Sequence, residues 1–317
     1  MTVLNEAGGL PRFLRSLAEQ SRFPAQVVVV DGGSTDGTVG LLRAWKAPPG
    51  VTIEVLVQPG AGIARGRNLA IERAQYEHVL VTDGGTTLSP RWVEALVGAL
   101  EDGADVASGF FEPGGSTPFA RTLATIILPR LDEIDPAAFL PSSRSVGFTR
   151  SSWKAVGGYP EWLDYCEDLV LDLDLKNHGA SFAFVPEAVA TWDARPTLAA
   201  FARQYYRYAR GDGKAKLWPR RHAIRYGAYA LGVALLASRS GAARIALVAG
   251  GAVYLRTSVR RVVGRGAGPA MMAGRLAAVP LVVLTGDLAK MVGYPAGLSW
   301  RRRTGRGGAA LGAEARP

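Results

Sequence analysis

Residues Gln26 to Thr38 read QVVVVDGGSTDGT, four consecutive β-branched residues that stop at an acid and two glycines. An apolar run of that length bounded by turn residues is the pattern of a buried strand. Gly32 and Gly33 allow a turn of positive φ at no steric cost, and Ser34 or Asp36 is placed to cap a helix starting near Thr38. Strand, glycine turn and helix in immediate succession point to an α/β fold. They also place Asp31 at the carboxyl end of a parallel-type strand, where open α/β sheets bind their ligands.

The first 200 residues repeat this alternation. Gly9–Gln20 carries Leu10, Phe13, Leu14 and Leu17 on one helix face, Gln26–Val30 is a strand, and Thr38–Trp45 a second helix. Val51–Val57 predicts a strand, Ile63–Ala74 a helix, and His78–Thr82 a strand ending at Asp83. Pro90–Leu100 predicts a helix with Ser89 as its cap and Pro90 at its first position. This order argues for a mostly parallel sheet flanked by helices.

Charge divides the chain. Residues 1–200 hold 16 Lys/Arg and 24 Asp/Glu, whereas residues 201–317 hold 21 and 3. The basic part carries three apolar runs, Tyr226–Ala237, Ile245–Leu255 and Ala277–Thr285, separated by arginines. None reaches the roughly 18–20 uninterrupted apolar residues of a spanning helix. With flanking residues admitted and arginines snorkelling, the first two predict a short membrane hairpin and the third a further span or re-entrant helix. Arg260, Arg261, Arg265 and Arg301 to Arg303 suit an anionic cytoplasmic leaflet. Few aromatics lie among these arginines, which argues against a nucleic-acid surface. The one cysteine, Cys166, excludes an intrachain disulfide and reads as a small buried hydrophobe. The first residues, MTVLNEAGG, lack the basic start and apolar stretch of a cleavable signal.

Several segments then occur in a telling order: Leu4-Asn5-Glu6, VVVVDGGSTDGT, ARGRN at Ala64–Asn68, VTDGG at Val81–Gly85, GGYPE at Gly157–Glu161, Glu167-Asp168, and QYYRY at Gln204–Tyr208. Over residues 1–215 this set resembles the family 2 glycosyltransferases. The resemblance implies a GT-A (Rossmann-like) fold and a nucleotide-diphosphate sugar donor, with inversion at the anomeric carbon. It implies that Asp31 accepts a hydrogen bond from the nucleotide base, with Asn5 and Glu6 lining the same pocket. Arg67 is similar to the family arginine near the diphosphate, where a guanidinium offsets leaving-group charge. Arg65, one helix step away, is an equally available cation or a surface charge.

Asp83 resembles the first acid of the family's Asp-x-Asp motif, which bridges a divalent metal to the diphosphate. Hard oxygen ligands suit Mg²⁺ or Mn²⁺. Here Gly85 stands in place of the second acid, so the metal rests on Asp83, waters, phosphates and a later ligand, with Asp193 and His178 as candidates. Displacement at a sugar carbon needs a carboxylate to take the acceptor's proton. Asp168 resembles that base and Glu167 supports it or binds the acceptor, while Asp172 and Asp174 are assigned to the solvated face of the following helix. Gln204, Arg207 and Tyr208 resemble the Gln-x-x-Arg-Trp motif of polysaccharide synthases, tyrosine replacing tryptophan. In that reading the aromatic stacks on the acceptor sugar and the arginine touches the diphosphate; an interfacial structural role for the same helix face is the alternative. Ser142, Ser143 and Arg144 are placed on the acceptor side.

Strand one of this fold is central, yet only Thr2–Leu4 precede Asn5, fewer than the usual five or so. Met1 is therefore expected to be internal to a longer natural chain, or a late-assigned start. The expected organisation is a GT-A domain over 1–215, a hydrophobic and basic helical membrane region over 216–298, and a disordered basic tail over 299–317. The expected activity is an inverting sugar transfer to a lipid-linked or glycan acceptor in cell-envelope or exopolysaccharide synthesis. The expected location is the cytoplasmic face of the membrane, with anionic lipid as a partner. A catalytically silent membrane scaffold is the alternative from another class. A nucleotidyltransferase is the other enzyme reading, although LNEAGGLPR lacks the lysine such a loop carries.

Overall fold

Each strand and helix pattern of the first 100 residues forms the element it predicts in the computed structural model, which describes residues 1–115 and 117–305. The chain divides into two compact units. Among the described residues, the first comprises Met1–Glu112 and Leu131–Asp193, and the second Pro113–Arg130 and residues 194–305. This partition differs from the expected boundary at 215, because residues 194–215 fall with the C-terminal helices.

The first unit begins β1 (Thr2–Val3), α1 (Leu10–Ala18), β2 (Gln26–Asp31), α2 (Thr38–Ala44), β3 (Thr52–Val57), α3 (Ile63–Arg73) and β4 (His78–Val81). It continues with β5 (Thr86–Leu88), α4 (Trp92–Glu101) and β6 (Val106–Gly114), whose last two residues belong to the second unit. α5 (Pro118–Ile127) belongs to the second unit, and β7 (Val146–Thr149), α6 (Arg150–Ala155), α7 (Glu167–Asn177) and β8 (Phe182–Asp193) complete the first. β1, β2 and β3 form a three-stranded parallel sheet, with Thr2 opposite Val30 and Gln26 opposite Thr52. The other five strands form a second sheet in the order β4-β7-β6-β8-β5.

The α/β class holds, with the parallel pairing concentrated in the first sheet. There a helix returns the chain to the same end before each new strand, as a parallel pair requires. β7 runs antiparallel to both β4 and β6, and β8 antiparallel to β5. Leu10, Phe13, Leu14 and Leu17 of α1 pack with Val27 and Val29 of β2 and with Trp92, Val93 and Leu96 of α4. At about 25 cal/mol per Å² of apolar surface removed from water, such a cluster is the main favourable term holding the unit together.

One local expectation is corrected and one open choice is resolved. α4 starts at Trp92 with Arg91 as its cap, not at Pro90 with Ser89. Ser89 belongs to the sheet edge: its N–H donates to the Val189 carbonyl and its hydroxyl to the Glu187 carbonyl. At the start of α2, Asp36 accepts from the Thr38 N–H and hydroxyl, whereas Ser34 turns back to Asp31.

The second unit joins α5 to α8 (Leu198–Ala215), α9 (Pro219–Ala237), α10 (Gly241–Gly264) and α11 (Pro269–Arg303). α8 and α11 approach at backbone contact. A Cβ on Gly293 would stand 2.3 Å from the Tyr206 carbonyl oxygen, and one on Gly297 2.2 Å from that of Arg210, so only glycine fits. Asp287 of α11 accepts from Arg225 Nε and the Tyr229 hydroxyl of α9 and from the Tyr254 hydroxyl of α10, tying three helices together.

α11 is the one helix among the described residues long and apolar enough to cross a membrane. The runs expected to form a membrane hairpin do make two helices, α9 and α10, joined by a short turn. Neither passes that test, although their apolar side chains, Leu236, Val248 and Val253 among them, are exposed. Nor do all the clustered arginines face outward. Arg261 and Arg265 donate to carbonyls at 125 and 127–129, the open end of α5, and buried Arg301 donates to the Lys214 carbonyl. α11 runs on to Arg303, past the expected tail boundary at 299, and residues 306–317 lie outside the described residues.

Candidate active site

Two loops are laced together where β1 and β2 end. The Asn5 N–H donates to Ser34 Oγ, Thr35 N–H to Asn5 Oδ1, Glu6 N–H to Thr38 Oγ1 and Ala7 N–H to Asp36 Oδ2. Asn5 itself takes a positive φ of 54°, a conformation asparagine tolerates better than most residues. The expected pocket residues Asn5 and Glu6 therefore do meet the glycine-rich turn, but the Asn5 amide oxygen is engaged by Thr35.

Asp31 lies at the end of β2 as expected, yet it is fully buried rather than presented to solvent. Its Oδ1 accepts from the Gly33 and Ser34 N–H groups at 2.9 and 2.8 Å, and Oδ2 from the Ser34 hydroxyl at 2.5 Å. In this arrangement Asp31 holds the turn's shape. The physical reason is local: a carboxylate two residues before a turn finds its backbone donors first.

The chemistry-bearing side chains converge between β4, α3 and α7. Arg67 of α3, with a side chain 3% exposed, donates from Nη2 to Asp83 Oδ1 at 2.7 Å and from Nη1 to Glu167 Oε1 at 2.6 Å. Its guanidinium also lies 5.4 Å from the Tyr159 ring centroid. Burial works against its charge, but Asp83 and Glu167 more than offset that and hold Arg67 firmly protonated. Arg67, expected near the diphosphate, is buried and joins two carboxylates.

Glu167 and Asp168 open α7 behind Cys166, which has φ of 66° and intermediate exposure. Cys166 is therefore not the buried hydrophobe its composition suggested. A left-handed non-glycine residue costs on the order of 1–3 kcal/mol, and here it turns the chain so that both acids enter the first helical turn. Burial, and after it the charge of Asp168, raise the Glu167 pKa against the pull of Arg67. Asp168 is only partly buried, and its Oδ2 lies 3.5 Å from Ser142 Oγ.

Asp172 was expected on the solvated face and is instead buried, with Oδ2 lacking a hydrogen-bond partner. Asp174 is intermediate in exposure. Burial, then the Asp168 charge, push the Asp172 carboxyl well above the usual carboxylate range. The sequence signal was present: α7 buries Val170, Leu171, Leu173 and Leu175, so its apolar residues do not leave one clean polar face.

Asn68 also escaped the sequence reading. Its amide donates to the Tyr159 carbonyl and Glu161 Oε1 while Oδ1 accepts the Tyr159 N–H, which fixes GGYPE onto α3. Gly158, at φ of 75°, leaves no room for a side chain: a Cβ would stand 2.8 Å from the Trp153 ring and 2.9 Å from Asn68 Oδ1. Ser143 is buried against the Tyr159 hydroxyl rather than lining an acceptor surface. Arg65 is the surface cation, paired with Glu161 at 3.1 Å. Gln204, Arg207 and Tyr208 stand on α8 in the second unit, where the Gln204 amide donates to the Tyr208 hydroxyl at 2.7 Å.

The donor set at Asp83 fits a divalent cation. A Cβ on Gly85 would stand 3.3 Å from Glu6 Oε2, so the Glu6 carboxylate lies beside the position where the motif's second acid would project. Among the described residues no cluster of three or more metal-binding side chains exists. Two carboxylates completed by phosphates and water are, however, an ordinary Mg²⁺ arrangement. The later ligands expected from sequence have other places: Asp193 pairs with Arg12, and His178 caps the far end of α7, about 16 Å along the helix from Glu167.

Residues 1–151 match the family model described as Glycosyl transferase family 2. The succinoglycan biosynthesis protein ExoA of Rhizobium meliloti is 27% identical over 229 residues, 67% of each chain. The glycosyltransferase AglE of Haloferax volcanii is 24% identical over 229 residues, 68% of this chain and 72% of the relative. Among solved structures, a mannosyltransferase from Pyrobaculum calidifontis, in complex with GDP-Man and Mn²⁺, superposes with a TM-score of 0.57 at 19% identity. It covers 94% of this chain and 85% of its own, a likeness of fold.

Proposed function

We propose that this chain, whose residues 1–151 match the family 2 glycosyltransferase model, moves a sugar from a nucleotide-diphosphate donor to a lipid-linked or glycan acceptor with inversion. The observation that carries this reading is the Asp83–Arg67–Glu167 bridge with Asp168 beside it. It ties the strand-end acid on the donor side to the helix that presents the base. In the reaction, Asp168 takes the acceptor hydroxyl proton as its oxygen bonds to the anomeric carbon. The carbon–oxygen bond to the diphosphate breaks on the opposite face, and its electron pair leaves with the nucleotide. Glu167 and Arg67 orient that base through the first turn of α7. Asp83, with Glu6 beside Gly85, would hold a Mg²⁺ or Mn²⁺ ion, which supplies positive charge for the leaving diphosphate.

An exopolysaccharide or envelope-glycan product is supported by the succinoglycan-biosynthesis relative. Membrane association is supported by α11 and by the exposed apolar side chains of α9 and α10. In this reading the catalytic unit faces the cytoplasm, where nucleotide sugars are made. The proposed organisation keeps a GT-A domain followed by a helical membrane region.

A screen of nucleotide sugars by thermal stabilisation tests the donor: a ligand at 100 times its Kd adds about 2.7 kcal/mol of stability. Asp168→Asn tests the base. Loss of transfer with donor binding retained supports the assignment, and transfer within about tenfold of wild type overturns it.

A further inference from the structure

The burial of Arg67 leaves the question of which cation meets the departing diphosphate. Both of its terminal nitrogens are held by carboxylates at 2.6 and 2.7 Å, and the side chain is 3% exposed. Arg144 stands in the same cluster under different conditions, with a side chain 23% exposed. Its backbone carbonyl accepts the Thr82 hydroxyl at 2.8 Å, which pins the 142–145 loop to the end of β4 immediately before Asp83. Its Nη1 donates to Ser142 Oγ at 2.9 Å, and Ser142 Oγ in turn lies 3.5 Å from Asp168 Oδ2. On its other side, Nε is 3.9 Å from Asp83 Oδ2, and the guanidinium lies over the Trp192 ring at 4.6 Å. One cation is therefore fixed between the donor-side acid and the proposed base, and solvent reaches it.

We propose that Arg144 binds the diphosphate of the donor and takes up the charge that develops on the leaving nucleoside diphosphate. The assignment rests on the reading of Asp83 and Asp168 as the donor-side and base carboxylates. A planar guanidinium matches phosphate oxygens in a two-pronged geometry that an ammonium does not reproduce, and stacking on Trp192 preorganises it. Its 3.9 Å contact with Asp83, made through a buried Nε, is longer and weaker than the Arg67 contacts at 2.6 and 2.7 Å, and so is the easier one to exchange for a phosphate. As the carbon–oxygen bond breaks and its electron pair moves to the diphosphate, the negative charge grows beside a cation already in position.

The test is titration calorimetry on the full chain in detergent, with UDP and UMP and with GDP and GMP. Arg144→Gln keeps a planar polar head near Ser142. It is expected to weaken binding of the preferred diphosphate at least tenfold while changing the monophosphate affinity less than twofold. Arg144→Lys, which keeps the charge without the fork, should fall between Arg144→Gln and wild type, and it carries the test if Arg144→Gln fails to fold. Undiminished diphosphate affinity in these variants overturns the assignment alone, as does an equal loss for diphosphate and monophosphate. Failure of the wild-type chain to bind either diphosphate overturns the donor-site reading and this assignment with it.

Discussion

Replacing Arg67 by methionine removes a guanidinium that touches two carboxylates and keeps most of the side-chain volume. Breaking a buried ion pair by removing one partner costs about 3–5 kcal/mol, because the remaining charge is left without compensation. Asp83 is 28% exposed, so water takes up part of its share, and the penalty falls mainly on Glu167, which is 6% exposed. The lower bound, about 3 kcal/mol, is therefore expected. At about 2–4 °C per kcal/mol for a unit of this size, Tm should drop by about 6–12 °C. The loss should also depend on pH. Glu167 already has a raised pKa, and without Arg67 it rises further. Towards pH 5 protonation removes the orphaned charge, and the gap to wild type narrows; towards pH 8 it widens. Thermal unfolding of wild type, Arg67→Met, Glu167→Gln and the double variant at pH 5 and pH 8 measures both effects. The double variant should recover part of the loss, since it buries no lone charge. A Tm change under 2 °C, or one independent of pH with no recovery in the double variant, would falsify the bridging role of Arg67.

Asp172→Asn should raise stability at pH 7.5 and leave it unchanged near pH 3.5. Burial and the Asp168 charge raise the folded carboxyl well above the unfolded value of about 3.9, so wild-type stability falls as pH rises above that value and the asparagine variant lacks this loss. Equal Tm differences at the two pH values would count against the raised carboxyl pKa. Glu6→Gln should weaken Mn²⁺ binding in the presence of a nucleoside diphosphate, read by electron paramagnetic resonance, and Glu6→Ala/Gly85→Asp should restore it. Unchanged Mn²⁺ affinity in Glu6→Gln removes Glu6 from the donor set. Gly293→Ala should cost about 1–3 kcal/mol in the second unit, because its Cβ meets the Tyr206 backbone oxygen, which cannot rotate away. Detergent-solubilised thermal stability checks this, and a neutral result would mean that α8 and α11 do not approach so closely.

The elements that follow from periodicity were legible without coordinates. The β-branched run at 27–30, the spacing of Leu10, Phe13, Leu14 and Leu17, and the acids at the start of α7 all report local geometry, which repeats every two or 3.6 residues. The strand-end position of Asp83 and the helix-start position of Glu167 and Asp168 came with them. What periodicity does not encode is whether a polar side chain on such an element meets solvent or another part of the chain.

That was decided by contacts between distant segments: Arg67 with Glu167 across 100 residues, Asn68 with Tyr159 across 91, and Thr82 with Arg144 across 62. These contacts tied Arg67 between Asp83 and Glu167 and buried Asp172. They also drew Arg144 in between Asp83 and Asp168. The sequence by itself determined the α/β order and which carboxylates stand at element ends, because those follow from neighbours in the chain. Only the tertiary structure determined which charges neutralise one another and which ones solvent reaches. Desolvation and ion pairing depend on everything packed around a group, whatever its distance in sequence.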